Sequence, residues 1–350
     1  QLDVLGTEQL VYLVTDQIAA LQTSQLIALS TEDFASLLSS QVTALLTRQL
    51  VALTTDQIVA FTTDQIAALS TRSVASFATD QLAAAQTEDF AALGSAVLNA
   101  LSTAQVAALT TDQIVALSTV QAAGLSTGNI SALTTDQLAA MELEDFVVLS
   151  TSAFAALSSD QIAALTDEQL VGITTTQAAA ISTAAIAGLS TDQLVQLETS
   201  DLAALSTAAL VALDYQTQLP YLLAAQASFL RTTQILGLST NQISGLVTDQ
   251  LVALTTVQIS ALGTAQAVIL GASQLPYLLD AQIVSLGTAV ASALTSDQVS
   301  VLTTAQLLAM ATAQIAAIST TGIAALTATQ AASLSTAAAS ALTTRQVAAV

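Results

Sequence analysis

Thr54-Thr55-Asp56-Gln57-Ile58-Val59-Ala60-Phe61 is followed directly by Thr62-Thr63-Asp64-Gln65-Ile66-Ala67-Ala68-Leu69. Both stretches run through one order of residue types: two hydroxyls, an acid, a glutamine, a branched aliphatic, two smaller residues and a large apolar anchor. With the anchor as position 8, Thr54 and Thr62 stand at position 1 and Gln57 and Gln65 at position 4. That is the spacing of a capping box, in which the hydroxyl accepts from the amide three residues on and the glutamine reaches back to the amide of the cap. Asp56 and Asp64 then fall in a first helical turn, where the helix dipole favours negative charge. Ile58, Phe61, Ile66 and Leu69 are the expected core.

Outward from these two octads the pattern covers the chain. Anchors recur at every eighth position from Leu5 to Leu213, with Phe61, Phe77, Ala85, Met141, Ile173 and Ile181 standing in for leucine. A second run goes from Leu222 to Val350, and the step from Leu213 to Leu222 is one residue too long, so the phase slips once. The expected organisation is an array over 1–213, an irregular segment at 214–221 carrying the insertion, and a second array over 222–350, together one continuous solenoid. Both ends read as cut from a longer array.

A helix over positions 2 to 8 has about two turns, and helices below roughly 12 residues are marginal alone because nucleation is costly. The octads must therefore stack. Positions 5 to 8 are apolar at successive 100° steps, so the second half of each helix is expected to be surrounded, with small residues at 6 and 7 allowing close approach. The polar first half is left for the outer face. The expected fold is all-α, a solenoid of stacked short helices, one per octad. A β-solenoid is the rival, because Thr, Ile and Val suit strands, but alanine is depleted there.

A longer period is superimposed. Glu32-Asp33-Phe34, Glu88-Asp89-Phe90 and Glu144-Asp145-Phe146 are seven octads apart, and Asp201-Leu202 continues the series. Seven octads are either a whole number of superhelical turns or the mark of duplication. Asp at position 4 reads as a replacement for glutamine in the capping box and Phe as a replacement in the core, since calcium needs six to eight converging oxygens. Gln218-Leu219-Pro220-Tyr221-Leu222-Leu223 likewise returns as Gln274-Leu275-Pro276-Tyr277-Leu278-Leu279. Pro220 and Pro276 fall inside an expected helix, where proline removes a donor and clashes with the preceding turn. Tyr221 and Tyr277 replace a small residue, so these sites are candidates for a bend or a contact, tyrosine giving apolar area with a polar tip.

Composition narrows the function. The formal charge is -21, from 25 acids against four arginines, Arg48, Arg72, Arg231 and Arg345. Such a surface repels nucleic acid and anionic lipid. The 53% hydrophobic content and mean hydropathy of +0.70 point towards lipid. Polar residues interrupt every octad, however, so no run approaches the roughly 20 apolar residues of a bilayer span, and no membrane insertion is expected. No basic segment followed by an apolar one opens the stretch, so no signal peptide is expected within it. Cysteine, lysine and histidine are all absent, which removes disulfides, thiolate metal sites and the usual nucleophile and base pairs. No enzyme, cofactor or metal is expected, and stacked glutamines offer side-chain ladders as a structural device.

Runs such as LTTDQIVAFTTDQIAALSTRSVASF at 53–77 and LTTDQIVALSTVQAAGLSTGNISALTTDQLAAM at 109–141 resemble the long L-[ST]-T-x-Q-[IL]-x-A-L arrays of very large repetitive surface or secreted proteins of Gram-negative bacteria. The resemblance spans the whole chain. It implies export by a dedicated secretion system and service as an adhesin, surface layer or matrix fibre. The expected function is a structural, self-associating element of an extracellular fibre, sheath or surface filament, with the chain itself as partner. The alternative is an adhesin stalk that engages a surface glycan or protein through the two QLPYLL segments.

Overall fold

A computed structural model describes residues 6–349, in two compact units, Gln1–Ala180 and Ile181–Val350. The anchors Leu5 and Val350 lie outside the described residues. Within the described residues the regular elements are helices, from Thr7–Leu10 to Thr344–Val347, and none is a strand. Each unit is a stack of one-octad helices, so the β alternative is excluded. The phase slip at 214–221 falls inside the second unit.

The α-helices are shorter than the two turns expected: Thr7–Leu10 is a single turn, and Thr63–Ala68 is among the longest. Helix Thr63–Ala68 shows what stops them. Its cap Thr62 accepts from the Gln65 amide, and the anchor Leu69 is already extended at φ -65° and ψ 138° because the next cap, Ser70, follows at φ -75° and ψ 159°. Helix and extended link alternate with no positive φ among the described residues, so the turns need no glycine.

Burial follows position. In octad 54–61, Gln57, Ile58 and Phe61 are at most 3% exposed, whereas Val59 is 41% exposed. Positions 4, 5 and 8 are thus inside and position 6 is outside, which corrects two expectations. The second half of the helix is not surrounded, because a one-turn helix with coils above and below still has an outer side. The glutamine, expected on that outer side, belongs to the core. Full burial of the aliphatic at position 5 contributes roughly 1.5–3 kcal/mol per octad. In the first unit aromatic pairs add edge-on contacts, Phe34 with Phe61 at 5.0 Å and Phe146 with Phe154 at 5.2 Å between ring centres.

The turn of each coil is three and a half octads. Helix Ser39–Thr43 packs on helix Thr63–Ala68, three octads on, while the Gln41 side chain bonds the anchor Leu13, a sequence distance of 28 that falls four octads back. Because 28 is not a multiple of eight, adjacent coils are half an octad out of step, and the start of one helix lies over the end of a helix beneath. Two such turns are seven octads, so the long sequence period repeats a residue on the same face every second coil. Among the described residues, no helix is long and apolar enough to cross a membrane.

Candidate functional site

The polar seam between coils is made at position 4. Gln137 accepts from the Thr134 amide at 2.8 Å through Oε1, and its own amide donates to the Thr134 hydroxyl at 3.2 Å. Its Nε2 donates to the carbonyls of Val106 and Leu109 on the preceding coil, at 2.9 and 2.7 Å. The last carbonyls of a helix lack partners within it. One side chain therefore closes its own N-terminal cap and satisfies the C-terminal end of a helix below. Gln306 does the same in the second unit, accepting from the Thr303 amide at 2.9 Å and donating to Leu275 and Leu278 at 3.0 and 2.7 Å.

The structure places Thr54, Gln57, Thr62 and Gln65 in capping boxes, as their spacing implies. It adds the second contact: Gln57 reaches Leu26 and Leu29, at 3.0 and 3.1 Å. Glutamine ladders do not form along this seam, because Nε2 goes to backbone carbonyls of the coil beneath rather than to another glutamine. In the first described coil Gln9, Gln17 and Gln25 are exposed and accept only from their own caps, at 3.2, 2.9 and 2.9 Å. Burial of the glutamine comes from the coil beneath it.

The acidic triplets interrupt the seam. In the helices Thr87–Ala91, Leu143–Val147 and Thr199–Ala204 the cap residue makes no side-chain capping bond, so Asp89, Asp145 and Asp201 do not complete a capping box. The caps there are Gln86, Glu142 and Glu198, which have no hydroxyl to accept the position-4 amide. All three are nevertheless buried, at 4%, 2% and 2% exposure. The Thr63 hydroxyl donates to Asp89 at 2.9 Å, whereas Oδ2 of Asp145 and of Asp201 is buried without a partner.

The two QLPYLL segments keep the seam and turn their tyrosines out. Leu219–Tyr221 and Leu275–Tyr277 are single 3-10 turns with proline near their start, where no amide donor is needed, so the helix interior expected around Pro220 and Pro276 does not exist. Gln218 donates to Leu189 at 2.7 Å and Gln274 to Leu246 at 2.8 Å. Tyr221 and Tyr277 are 57% and 59% exposed, and Leu223 and Leu279 are 50% and 52% exposed. The inserted residue is absorbed just before the first of these turns. Gln218 reaches four positions back to the Asp214 amide at 2.9 Å, where Gln274 reaches three, to Gly271. Asp214 holds the longer turn by accepting from the Thr217 hydroxyl and from the amides of Gln216 and Thr217, contacts that keep its carboxyl below the usual range.

The apolar interiors are closely filled, with voids of about 10 Å³ beside Val290 and 20 Å³ beside Leu98. Wider spaces are open clefts, about 440 Å³ beside Arg48 and Arg72 and 480 Å³ beside Arg345. Among the described residues no group of three or more acids, histidines or cysteines could hold a metal ion.

Three stretches, 34–71, 82–119 and 138–175, match the family described as ALTTAQ repeat. The chain is a repeat protein. Each matched stretch starts at position 5 of an octad and lies in the first unit, where Ala108–Gln113 reads ALTTDQ. Comparison with curated proteins finds no match. Among solved structures the chain is similar to the leucine-rich repeat-containing protein LegL7 from Legionella pneumophila, at 12% identity and a TM-score of 0.16, over 67% of this chain and 77% of that one. So low a likeness adds nothing to the architecture described above.

Proposed function

We propose that this chain is a structural, non-catalytic repeat protein, a self-associating element of an extracellular fibre, sheath or surface filament. The observation that carries the reading is the recurring seam. Wherever position 4 is glutamine, as in most octads, it donates to carbonyls of the preceding coil in the same way in both units, so this contact sets no limit on the length of a stack. Gln9, Gln17 and Gln25 leave their Nε2 groups to solvent, and a coil laid on that face, from the same chain or a second copy, would meet donors already in register. A composition without cysteine, lysine or histidine supports the extracellular setting.

Electron microscopy and sedimentation over a concentration series test the assembly. Elongated oligomers that grow with concentration are expected, and Gln9→Leu with Gln17→Leu and Gln25→Leu should shorten them. Compact monomers at every concentration would overturn the reading, as would recovery of the natural protein from the cytosolic fraction alone.

A second reading, an adhesin stalk, is favoured by the exposed tyrosines alone, which recur on one face two coils apart. Tyr221→Ala with Tyr277→Ala should then abolish binding to a glycan array and leave assembly intact. Unchanged binding removes this alternative.

A further inference from the structure

Asp89 and Asp145 occupy, in the first unit, the buried position from which glutamine elsewhere joins one coil to the next. A carboxylate cannot donate to a carbonyl, but a neutral carboxylic acid can. Asn129 shows that the shorter side chain reaches: at the same position 4, its Nδ2 donates to the Leu98 carbonyl of the preceding coil at 3.2 Å. Asparagine and neutral aspartic acid have the same length and shape. By the register of Gln137 and Gln161, which reach Leu109 and Leu133, Asp145 stands over the carbonyls of Ile114 and Leu117. Its buried Oδ2 has no partner. By the same register Asp89 stands over Ile58 and Phe61, with one oxygen engaged by the Thr63 hydroxyl.

We propose that Asp89 and Asp145 are proton-operated staples. Neutral, each donates to the preceding coil as glutamine does elsewhere; ionised, each leaves that contact unmade, so the stack tightens as the medium acidifies.

The charges on the helices around both carboxyls are acidic. Asp145 shares its segment with Glu142 and Glu144, faces Asp167 and Glu168 on helix Asp167–Val171, and meets no charged residue on helix Thr119–Ala123. Asp89 has Glu88 beside it, Asp64 on helix Thr63–Ala68 and Asp112 on helix Thr111–Val115. No arginine lies on any of these helices. Burial, with help from neighbouring glutamates, pushes both carboxyls above their ordinary range, although the Thr63 hydrogen bond opposes the shift at Asp89. Asp201 carries the same exchange in the second unit, its Oδ2 unpartnered and its carboxyl pushed up to about 6, by burial first and Glu198 second. Helix Ala224–Phe229, packed on it, brings no charge.

A folded-state pKa above the unfolded value makes ionisation harder in the folded chain. The stabilising contribution is therefore complete below the unfolded carboxylate pKa and lost as pH rises through the folded one. For Asp201 the window lies between the ordinary carboxylate range and about pH 6; for Asp89 and Asp145 it opens in the same direction, above the ordinary carboxylate range.

The test is thermal unfolding at pH 5.0 and 7.5 and constant ionic strength, comparing wild type with Asp89→Asn/Asp145→Asn. The control is Asp80→Asn/Asp136→Asn, which removes equal charge from exposed position-3 sites of the same unit. Wild type should melt several degrees higher at pH 5.0 than at 7.5. The buried pair of substitutions should raise the midpoint at pH 7.5 and remove at least half of that difference, while the control keeps it. Asp201→Asn should likewise remove a step near pH 6 from the second unit. An unchanged pH difference in Asp89→Asn/Asp145→Asn, or equal flattening in the control, would overturn the proposal.

Discussion

Gln169→Leu should destabilise the first unit by about 3 kcal/mol, since each buried polar group left unpaired costs about 1–3 kcal/mol. Gln169 accepts from the Thr166 amide at 3.2 Å and donates to the carbonyls of Leu138 and Met141 at 2.9 and 3.0 Å. Leucine fills much of the same volume and removes all three bonds; the Leu138 carbonyl keeps the Met141 amide, and the Met141 carbonyl loses its donor. For a unit of this size that is a fall in the melting midpoint of roughly 6–12 °C. Gln169→Glu separates the two halves of the contact, because a glutamate keeps the acceptor for Thr166 and loses the donor to the preceding coil. At pH 7 it should melt at or below Gln169→Leu, and it should recover in acid as the carboxyl becomes neutral. A drop below about 1 kcal/mol for Gln169→Leu, the net worth of one ordinary hydrogen bond, would mean that the seam is ornamental and the aliphatic core alone holds the coils.

Gly245→Ala should destabilise the second unit by about 1–3 kcal/mol, the usual cost of overpacking, although alanine in an open helical site gains about 1 kcal/mol over glycine. A Cβ on Gly245 would stand 2.5 Å from the backbone oxygen of Tyr215. That oxygen belongs to the turn lengthened by the inserted residue, which Asp214 holds in place, so it has little freedom to move aside. The equivalent position seven octads on, beside the QLPYLL segment with no insertion, is occupied by Val301, which is only half-buried. Deleting Tyr215 should therefore make Gly245→Ala tolerable, and a double-mutant cycle of the deletion with the substitution should show strong coupling. Additive effects would place the cost elsewhere.

The same contrast shows what could be read from residue types and what could not. Capping boxes at Thr54 and Thr62 are legible because a box is closed within one helical turn and needs no knowledge of the fold. Burial of Ile58 and Leu69 is legible because a marginal helix must cover its apolar side. The second function of Gln57 is not, since it depends on which carbonyls the superhelix brings beneath it. The signal that could have found it is arithmetic: the seven-octad echo taken as two turns gives three and a half octads per coil, half an octad out of register, which sets position 4 over position 8. The Asp at position 4 reads as a weaker cap by local rules, whereas in the stack it is a buried acid at the position from which glutamine donates to the preceding coil. Pro220 reads as a helix breaker only if a two-turn helix is assumed; in a single 3-10 turn it costs no donor.

The sequence by itself determined the unit: an octad with a cap at position 1, a glutamine at 4, apolar side chains at 5 and 8, a short helix that must stack, and a phase slip after Leu213. Those properties are local, fixed by hydrogen-bond reach along the chain and by the need to bury apolar area. The tertiary structure decided the number of octads per turn, and with it everything that one coil does to the next. It made the glutamine a staple, buried Asp145 at the seam with an unpartnered oxygen, set Gly245 against Tyr215 and turned Tyr221 and Tyr277 to solvent. The physical reason is that the angle turned per octad is a sum of small contributions from every link and contact, which no single octad encodes, and a change of half an octad per turn would give each of these residues a different neighbour.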